Sequence, residues 1–214
     1  MKKVHLIIIM FLSIFIFNVS ATNINLYKNL NYKKNDEKIL TIMEKYHKKY
    51  GNKEVNLRDV YYTIHYYATK YDIDLIYALT FFAIESGYTY ECKSSYSAVG
   101  IGQVTKMALS DYNSWFNEDV SFSCMNDKAT YDYNIKVALG YLRLCWDKYR
   151  IIECGTDLMK AYNIGITNLS NIKKGITTRW IEVNGRKVDY WKYASEKYSL
   201  KFQQCFWDFF NAMD

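Results

Sequence analysis

An apolar segment that ends in an isolated carboxylate is the feature that most constrains the fold of this chain. Residues 77–84 are apolar except for one threonine, and Glu85, Ser86 and Gly87 follow directly. The Asp74 side chain is suited to cap the first turn of a helix, and Gly87 is suited to end one. The sequence therefore predicts a largely apolar helix that carries Glu85 at its C-terminal end.

The predicted surroundings of Glu85 favour the neutral form of its side chain. Phe81 and Phe82 lie one turn earlier on the same helix, and burial among apolar groups penalises a carboxylate. The negative potential at a helix C-terminus acts in the same direction. A protonated glutamic acid can act as a general acid and give its proton to a leaving group. The alternative is an exposed glutamate at a helix end with no role in chemistry.

The spacing of apolar residues predicts a mainly α chain with one small β element. Further helices are predicted over residues 35–51, 60–71, 133–149 and 190–213, with a short helix starting near Gln103 and another capped by Thr156. Residues 91–102 are rich in Ser, Gly and Tyr, which indicates an ordered loop. Asn184 and Gly185 lie between apolar-alternating arms within residues 180–188, a pattern typical of a hairpin.

The N-terminus has the pattern of an export signal. A basic start and an apolar stretch over residues 6–17 precede residues 19–21, which end in the small residues that signal peptidase prefers. We expect cleavage after Ala21 and residence in the periplasm or outside the cell; an uncleaved membrane anchor is the alternative. Residues 22–55 are expected to form a linker and a helical extension, and residues 56–214 a single domain.

Composition narrows the function classes. Cleavage would lower the formal charge from +6 to +4 by removing Lys2 and Lys3. A mildly basic protein suits an anionic polymer, although an ordinary soluble surface explains the charge equally well, and no nucleic-acid partner is expected. None of the five cysteines forms a CxxC pair, and His47 and His65 supply no metal signature, so we expect no metal or other cofactor. In an exported protein disulfides are the default, with Cys145 and Cys154 as the first choice; buried thiols are the alternative. Both histidines precede every cysteine, which disfavours a cysteine peptidase.

Two blocks around the apolar helix resemble the catalytic domain of the soluble lytic transglycosylases, which cleave bacterial peptidoglycan. Glu85 and Ser86 match the family's Glu-Ser pair, and Ser94 stands nine residues after the glutamate, as in the family pattern. Gly100 and Gln103 match the ends of the family's Gly-Leu-Met-Gln block. The two central positions of that block hold isoleucine and glycine in this chain.

Two downstream blocks extend this resemblance, which covers about residues 71–165. Residues 134–142 are similar to the family's Asn-Ile…Tyr-Leu helix, with Ala138 where a glycine is common. Gly102 stands where the family usually has methionine. Residues 161–165 match the Ala-Tyr-Asn-x-Gly block. The order of all four blocks along the chain is that of the family.

The resemblance implies a fold and a reaction. The fold would be lysozyme-like, similar to the goose-type lysozymes: a single mainly α domain with a small β-hairpin. Glu85 would be the sole catalytic acid and base, and the Tyr162 hydroxyl would bind its carboxyl group and orient it. The nucleophile would be the C6 hydroxyl of N-acetylmuramic acid, so that the product would carry a 1,6-anhydromuramoyl end.

The same resemblance implies substrate contacts and partners. Ser94, Gly100, Gln103 and Asn163 would bind the glycan. The alternatives are a turn serine for Ser94, a polar helix-start residue for Gln103, and for Asn163 a role in holding the loop after its helix. The expected partners are peptidoglycan glycan strands, with an envelope-spanning secretion or conjugation machine left open, and the protein is expected to be a monomer.

Two other functions remain open on this scaffold. One is a hydrolase of the same bond, similar to goose-type lysozyme, whose product would be one water heavier than the anhydro sugar. The other is a non-catalytic module for peptidoglycan binding or secretion assembly, which an intact pair of Glu85 and Tyr162 disfavours. A zinc amidase is disfavoured because the sequence lacks a metal-ligand motif.

Overall fold

The computed structural model describes residues 36–51 and 53–213. Within these residues the chain forms eight α-helices and one two-stranded sheet, which confirms the mainly α prediction. The helices are α1 (Asp36–Tyr50), α2 (Leu57–Lys70), α3 (Leu75–Ser86), α4 (Lys106–Phe116), α5 (Tyr131–Lys148), α6 (Gly155–Ile164), α7 (Ile166–Lys173) and α8 (Tyr190–Met213). Two short 3₁₀ helices, Phe122–Asn126 and Lys128–Thr130, precede α5. The predicted signal peptide and the linker over residues 22–34 lie outside the described residues.

The chain divides into two compact units. One comprises residues 36–147 and 200–213, as far as the structure describes them, and the other comprises residues 148–199. In the first unit, α1 and α2 pack against α3. The core of this unit is formed by side chains with no solvent exposure, among them Ile39, Met43, Val60, Ile64, Leu79, Phe81, Phe82, Ile135, Leu139 and Phe209.

Helix α3 has the ends that its sequence predicts. The Asp74 carboxylate accepts a hydrogen bond from the Tyr77 backbone N–H at 2.9 Å, which satisfies one of the donors left over in a first turn. Gly87 adopts a left-handed φ of 57°, and its N–H donates to the Ala83 carbonyl at 3.0 Å. A residue with a Cβ would be strained in that conformation, so glycine ends the helix one residue after Ser86.

Two predicted helix starts were wrong. Helix α4 begins at Lys106 rather than near Gln103, because the Thr105 hydroxyl caps it by accepting from the Ala108 N–H at 3.1 Å. Helix α6 begins at Gly155, so Thr156 lies inside the first turn and is not the cap. The residue at the cap position, Cys154, makes no side-chain capping bond.

The second unit contains α6, α7, the hairpin and the first part of α8. Strand β1 (Trp180–Val183) pairs antiparallel with β2 (Arg186–Asp189), which confirms the predicted hairpin. Asn184 and Gly185 join the strands with φ values of 50° and 73°. Two consecutive residues with positive φ are what a type I′ turn needs, and Asn-Gly supplies them at low cost.

The cysteines and the helix lengths bear on two further expectations. All five cysteines are thiols in the structure, so the expected Cys145–Cys154 disulfide is wrong. The Cys145 side chain is 2% exposed and belongs to the apolar interior, which explains why a cysteine suits that position.

No bilayer-spanning helix occurs within the described residues.

Candidate active site

Glu85 stands in the last turn of α3, and its side chain is partly exposed. The Cys92 thiol lies close enough to feel its charge, and Gln103 is hydrogen-bonded to Cys92. Burial raises the pKa of the Cys92 thiol, the negative charge of Glu85 raises it further, and a hydrogen bond from the Gln103 side chain lowers it. The helix end and the following loop therefore bring the predicted acid, Glu85, together with Gln103 and with a thiol that the sequence analysis treated only as a disulfide candidate.

The loop after α3 is closed by Gly100 and Gln103. The Gly100 N–H donates to the Cys92 carbonyl at 2.7 Å. The Gln103 side-chain amide donates to the Gly100 carbonyl at 2.9 Å and to the Cys92 carbonyl at 3.3 Å. Gln103 is only 8% exposed and has a left-handed φ of 52°. Its amide nitrogen is thus occupied by the loop backbone, which supports a role in shaping the loop.

Gly100 is required by both conformation and space. Its φ is 73°, and a Cβ at this position would lie 2.0 Å from the Met125 carbonyl oxygen and 2.2 Å from the Asn134 amide nitrogen. No side chain fits there, so Gly100 can offer only its backbone.

Ser94 has the contacts of a turn residue. Its hydroxyl oxygen accepts hydrogen bonds from the backbone N–H groups of Tyr96 at 3.2 Å and Ala98 at 3.1 Å. Its own N–H donates to the Ala98 carbonyl at 2.9 Å. This arrangement is a serine-stabilised turn, so these contacts favour the alternative reading of Ser94 over a direct glycan contact.

Ser86, the neighbour of Glu85, connects the helix end to the loop. Its hydroxyl donates to the Ile101 carbonyl at 2.7 Å and accepts from the Thr89 N–H at 3.2 Å. The side chain is buried, with 5% exposure. The Glu-Ser pair of the motif therefore combines the candidate acid with the residue that holds the loop against α3.

Asn134 holds the loop from the other side, and the sequence analysis gave it no role. Its side-chain oxygen accepts from the Gly102 N–H at 2.7 Å. Its amide nitrogen donates to the carbonyls of Val99 at 2.9 Å and Met125 at 2.7 Å. Asn134 is fully buried. The available signal was an asparagine within a predicted amphipathic helix and within the Asn-Ile block, because a buried amide needs partners for both of its ends.

Helix α1 supports the end of α3 just beyond Glu85. The His47 imidazole Nδ1 donates to the Gly87 carbonyl at 2.6 Å. A Cβ on Gly87 would lie 2.4 Å from the Gly51 backbone nitrogen. The close approach of the ends of α1 and α3 therefore needs glycine at position 87. The His47 imidazole also gives a hydrogen-bond partner to the Gly87 carbonyl, which has none within the helix.

Tyr162 and Asn163 belong to the 148–199 unit, whereas Glu85, Ser94, Gly100 and Gln103 belong to the other. Tyr162 lies in the last turn of α6 with its side chain partly exposed, and Asn163 beside it is exposed. The Asn168 amide, rather than Asn163, donates to the Ile164 carbonyl at the end of α6, at 2.7 Å.

Metal ligands do not cluster in this part of the protein. Among residues 36–51 and 53–213, no three His, Cys, Asp or Glu side chains are grouped so as to hold a metal ion. The chemistry available beside Glu85 is that of a carboxyl group, a thiol and an amide.

A comparison with a protein-family model covers the part of the chain that contains this site. The model of the transglycosylase SLT domain matches residues 62–181, more than half of the chain. The matched segment contains the Glu85 helix, the loop that Ser86 and Asn134 hold, and Tyr162. No curated protein matches the chain. The chain therefore belongs to the SLT family of transglycosylase domains, which have a lysozyme-like fold and act on peptidoglycan.

Proposed function

We propose that this protein is an exported lytic transglycosylase. It cleaves the β-1,4 bond between N-acetylmuramic acid and N-acetylglucosamine and leaves a 1,6-anhydromuramoyl end. The observation that carries this proposal is the position of Glu85, a partly exposed carboxyl group at the end of a buried helix, beside a loop held by Ser86 and Asn134. Membership of the SLT family supports the substrate class.

The reaction needs one carboxyl group that acts twice. Glu85 first gives its proton to the glycosidic oxygen, and the bond from that oxygen to the anomeric carbon breaks. The 2-acetamido group of the muramic acid residue stabilises the positive charge that remains on the anomeric carbon. The Glu85 carboxylate then takes the proton of the C6 hydroxyl, whose oxygen bonds to the anomeric carbon. Glu85 ends protonated, and no water is consumed.

The hydrogen bonds within the loop after α3 indicate that several motif residues shape the loop instead of contacting the glycan. Gly100 and Gln103 keep the loop beside Glu85, since their polar groups bind its backbone. A loop fixed in advance loses little entropy when the glycan binds. By resemblance to the family motif, Tyr162 supplies a hydroxyl that orients the Glu85 carboxyl, and Asn163 contributes to glycan binding.

Mass spectrometry of released muropeptides tests this function. Purified peptidoglycan is incubated with the protein, and we expect products with anhydromuramoyl ends, each lighter by one water than the product of hydrolysis. Reaction in water labelled with heavy oxygen should leave the new end unlabelled. Labelled, reducing muramic acid ends would instead identify a hydrolase, and intact strands after prolonged incubation would identify a binding module.

A matched carboxylate controls for loss of charge. Glu91 pairs with Lys53 at 2.5 Å on the surface, and such exposed pairs contribute little to stability. The Glu91→Gln variant should therefore release the same products as the parent protein.

Export is the second part of this proposal. The basic and apolar N-terminal pattern supports it, and export would bring the protein to its polymer. Mass analysis of the mature protein should show an N-terminus at Thr22. A mature chain that still begins at Met1 in a soluble cytoplasmic fraction would contradict it.

A further inference from the structure

A groove runs along α7 in the 148–199 unit. Its volume is about 460 Å³, within the range of small-ligand sites. Residues 148–151 form one wall, and the other is the α7 side that presents Ile166, Thr167, Ser170, Asn171 and Lys174. These positions are one, four, five and eight residues after the first, so they share one face of the helix.

The groove carries positive charge without a matching negative one. Lys148, Arg150 and Lys174 are exposed and line it, and no acidic side chain does. Within the described parts of the chain, none of these three forms an ion pair. The nearby carboxylates of Glu153 and Asp157 are bound by Lys173, at 3.2 and 2.7 Å. The groove therefore attracts anions.

The two walls are held together before any ligand binds. The Lys173 ammonium donates to the Ile151 carbonyl at 2.7 Å and to the Asp157 carboxylate at 2.7 Å. Asp157 is only 8% exposed, which strengthens this ion pair relative to a surface pair. The bonds fix the end of α7 to the segment after α5, so the groove has a defined width.

The uncharged polar side chains of the groove favour a peptide over a simple inorganic anion as its ligand. Ser170 and Asn171 offer hydroxyl and amide groups that can bind the N–H and C=O groups of a peptide. Gly165 precedes helix α7 as its cap residue and offers no side-chain cap, so backbone N–H groups of the first turn, which contains Thr167, have no side-chain acceptor there. A polyphosphate would use the cations alone, whereas a peptide with several carboxylates would use both kinds of group.

We propose that the groove on α7 binds a short acidic peptide, the chemical class to which the stem peptides of peptidoglycan belong. The naming of stem peptides rests on the proposed function, whereas the binding of an acidic peptide rests on the groove alone. The site would hold the enzyme on peptide-bearing strands, separately from the chemistry at Glu85.

Binding of a synthetic tetrapeptide to the full chain tests this proposal. Calorimetry compares Ala-γ-Glu-Lys-Ala, acetylated on both of its amines so that only its two carboxylates are charged, with the same acetylated peptide after amidation of its carboxylates, and with inorganic phosphate. We expect the acidic form to bind and the amidated form to bind at least about tenfold more weakly, since charge-assisted bonds are lost. Equal binding of the two peptides, or phosphate binding as tight as that of the acidic peptide, would overturn the proposal.

Charge-matched variants locate the site. Arg150→Gln with Lys174→Gln should weaken binding of the acidic peptide by about tenfold or more. The control, Arg186→Gln with Lys187→Gln, removes the same two charge types from the exposed hairpin of the same unit. The control variant should bind the acidic peptide as tightly as the parent protein does. Equal losses of affinity in both variants would show that net charge alone causes the effect, and would overturn the assignment of the site to the groove.

Cleavage of glycan strands from which the peptides have been removed separates this proposal from the proposed function. Both double variants should cleave such strands as fast as the parent protein. If no variant cleaves, the proposed reaction fails, while the peptide-binding result still decides the role of the groove.

Discussion

Gly102 and Ala138 pack so closely that a Cβ atom on Gly102 would lie 2.5 Å from the Cβ atom of Ala138. Both positions depart from the family pattern, which usually has methionine at the first and a glycine at the second. The two departures therefore meet at one contact, with the smaller residue on the loop and the larger one on helix α5. The structure connects the two departures, because a side chain at position 102 would need the space that the Ala138 methyl group fills.

This contact predicts a compensating pair of substitutions. Gly102→Ala should destabilise the protein by about 1–3 kcal/mol through overpacking. Adding Ala138→Gly should recover part of that loss, although Ala138→Gly alone should destabilise helix α5 by about 1 kcal/mol. Denaturant unfolding of the four proteins in a double-mutant cycle measures the coupling. Strictly additive effects would show that the two residues do not crowd each other.

Asn134 predicts a large loss of stability on truncation. Asn134→Ala removes the partners of three buried backbone groups and should cost about 2–4 kcal/mol. The control is Asn163→Ala, which changes an exposed asparagine and should stay within about 0.5 kcal/mol of the parent. Thermal and denaturant unfolding measure both variants. Similar midpoints for the two would mean that the Asn134 bonds contribute little.

Glu85 predicts a loss of activity without a loss of folding. Glu85→Gln keeps the size of the side chain but cannot donate or accept the proton, so anhydromuropeptide release should fall to nearly nothing. The circular dichroism spectrum and the unfolding midpoint should match those of the parent, because Glu85 is partly exposed. A folded Glu85→Gln protein that keeps most of its activity would remove Glu85 from the mechanism.

Tyr162 predicts a smaller effect of the same kind. Tyr162→Phe keeps the ring and removes one hydroxyl, so the rate should fall on the order of 10- to 100-fold. Tyr193→Phe, which makes the same chemical change on α8 in the same unit, should keep the parent rate. Product analysis under steady-state conditions gives both values. A Tyr162→Phe protein as active as the control would leave the hydroxyl without a catalytic role.

The thiol of Cys92 predicts a direct readout of the charge on Glu85. Burial first and the Glu85 charge second raise the pKa of Cys92 above its usual range, so less thiolate is present at a given pH. Alkylation by iodoacetamide should therefore reach half of its maximal rate at a higher pH than for a cysteine in a peptide. Glu85→Gln removes the negative charge, so the midpoint should move to lower pH and the rate at a fixed pH should rise.

Cys154 serves as the internal control in that experiment. Its pKa is also raised, first by burial, and the acidic charge that adds to the rise is that of Asp157. Peptide mapping by mass spectrometry follows both thiols in one sample. Glu85→Gln should change the rate at Cys92 and not at Cys154, and equal changes at both would point to a general loosening of the fold.

The elements that local chemistry determines could be predicted from the sequence. Asp74 and Gly87 end helix α3 through bonds to residues within one turn, and Asn184 with Gly185 forms its turn from two left-handed residues. In each case the interacting groups are neighbours in the chain. A single residue type in the right place was therefore sufficient to predict the element.

The loop beside Glu85 could not be predicted in the same way. Gln103 adopts a left-handed conformation in a loop that Asn134 holds by hydrogen bonds. Asn134 lies about thirty residues later in the sequence, so the helix propensity of the residues near Gln103 does not predict this contact. Cys154 precedes helix α6 at the cap position without a capping bond, while the Asp157 carboxylate accepts from the Glu153 N–H at 3.2 Å. The Asp157 carboxylate is also bound by Lys173 at 2.7 Å, a contact from the next helix that the residues around Thr156 do not reveal.

The hydrogen bond from His47 to the Gly87 carbonyl sets a limit on how far this protein can be shortened. The family match begins at residue 62, inside helix α2, whereas the donor that completes the end of α3 comes from α1. Tyr46, one residue earlier, donates to the Asp208 carboxylate in α8 at 2.8 Å, beyond the other edge of the match. A fragment trimmed to the matched segment would thus lose the helix that supports the Glu85 turn and the partner that anchors this helix, so the shortest segment that keeps the Glu85 turn intact is longer than the family match.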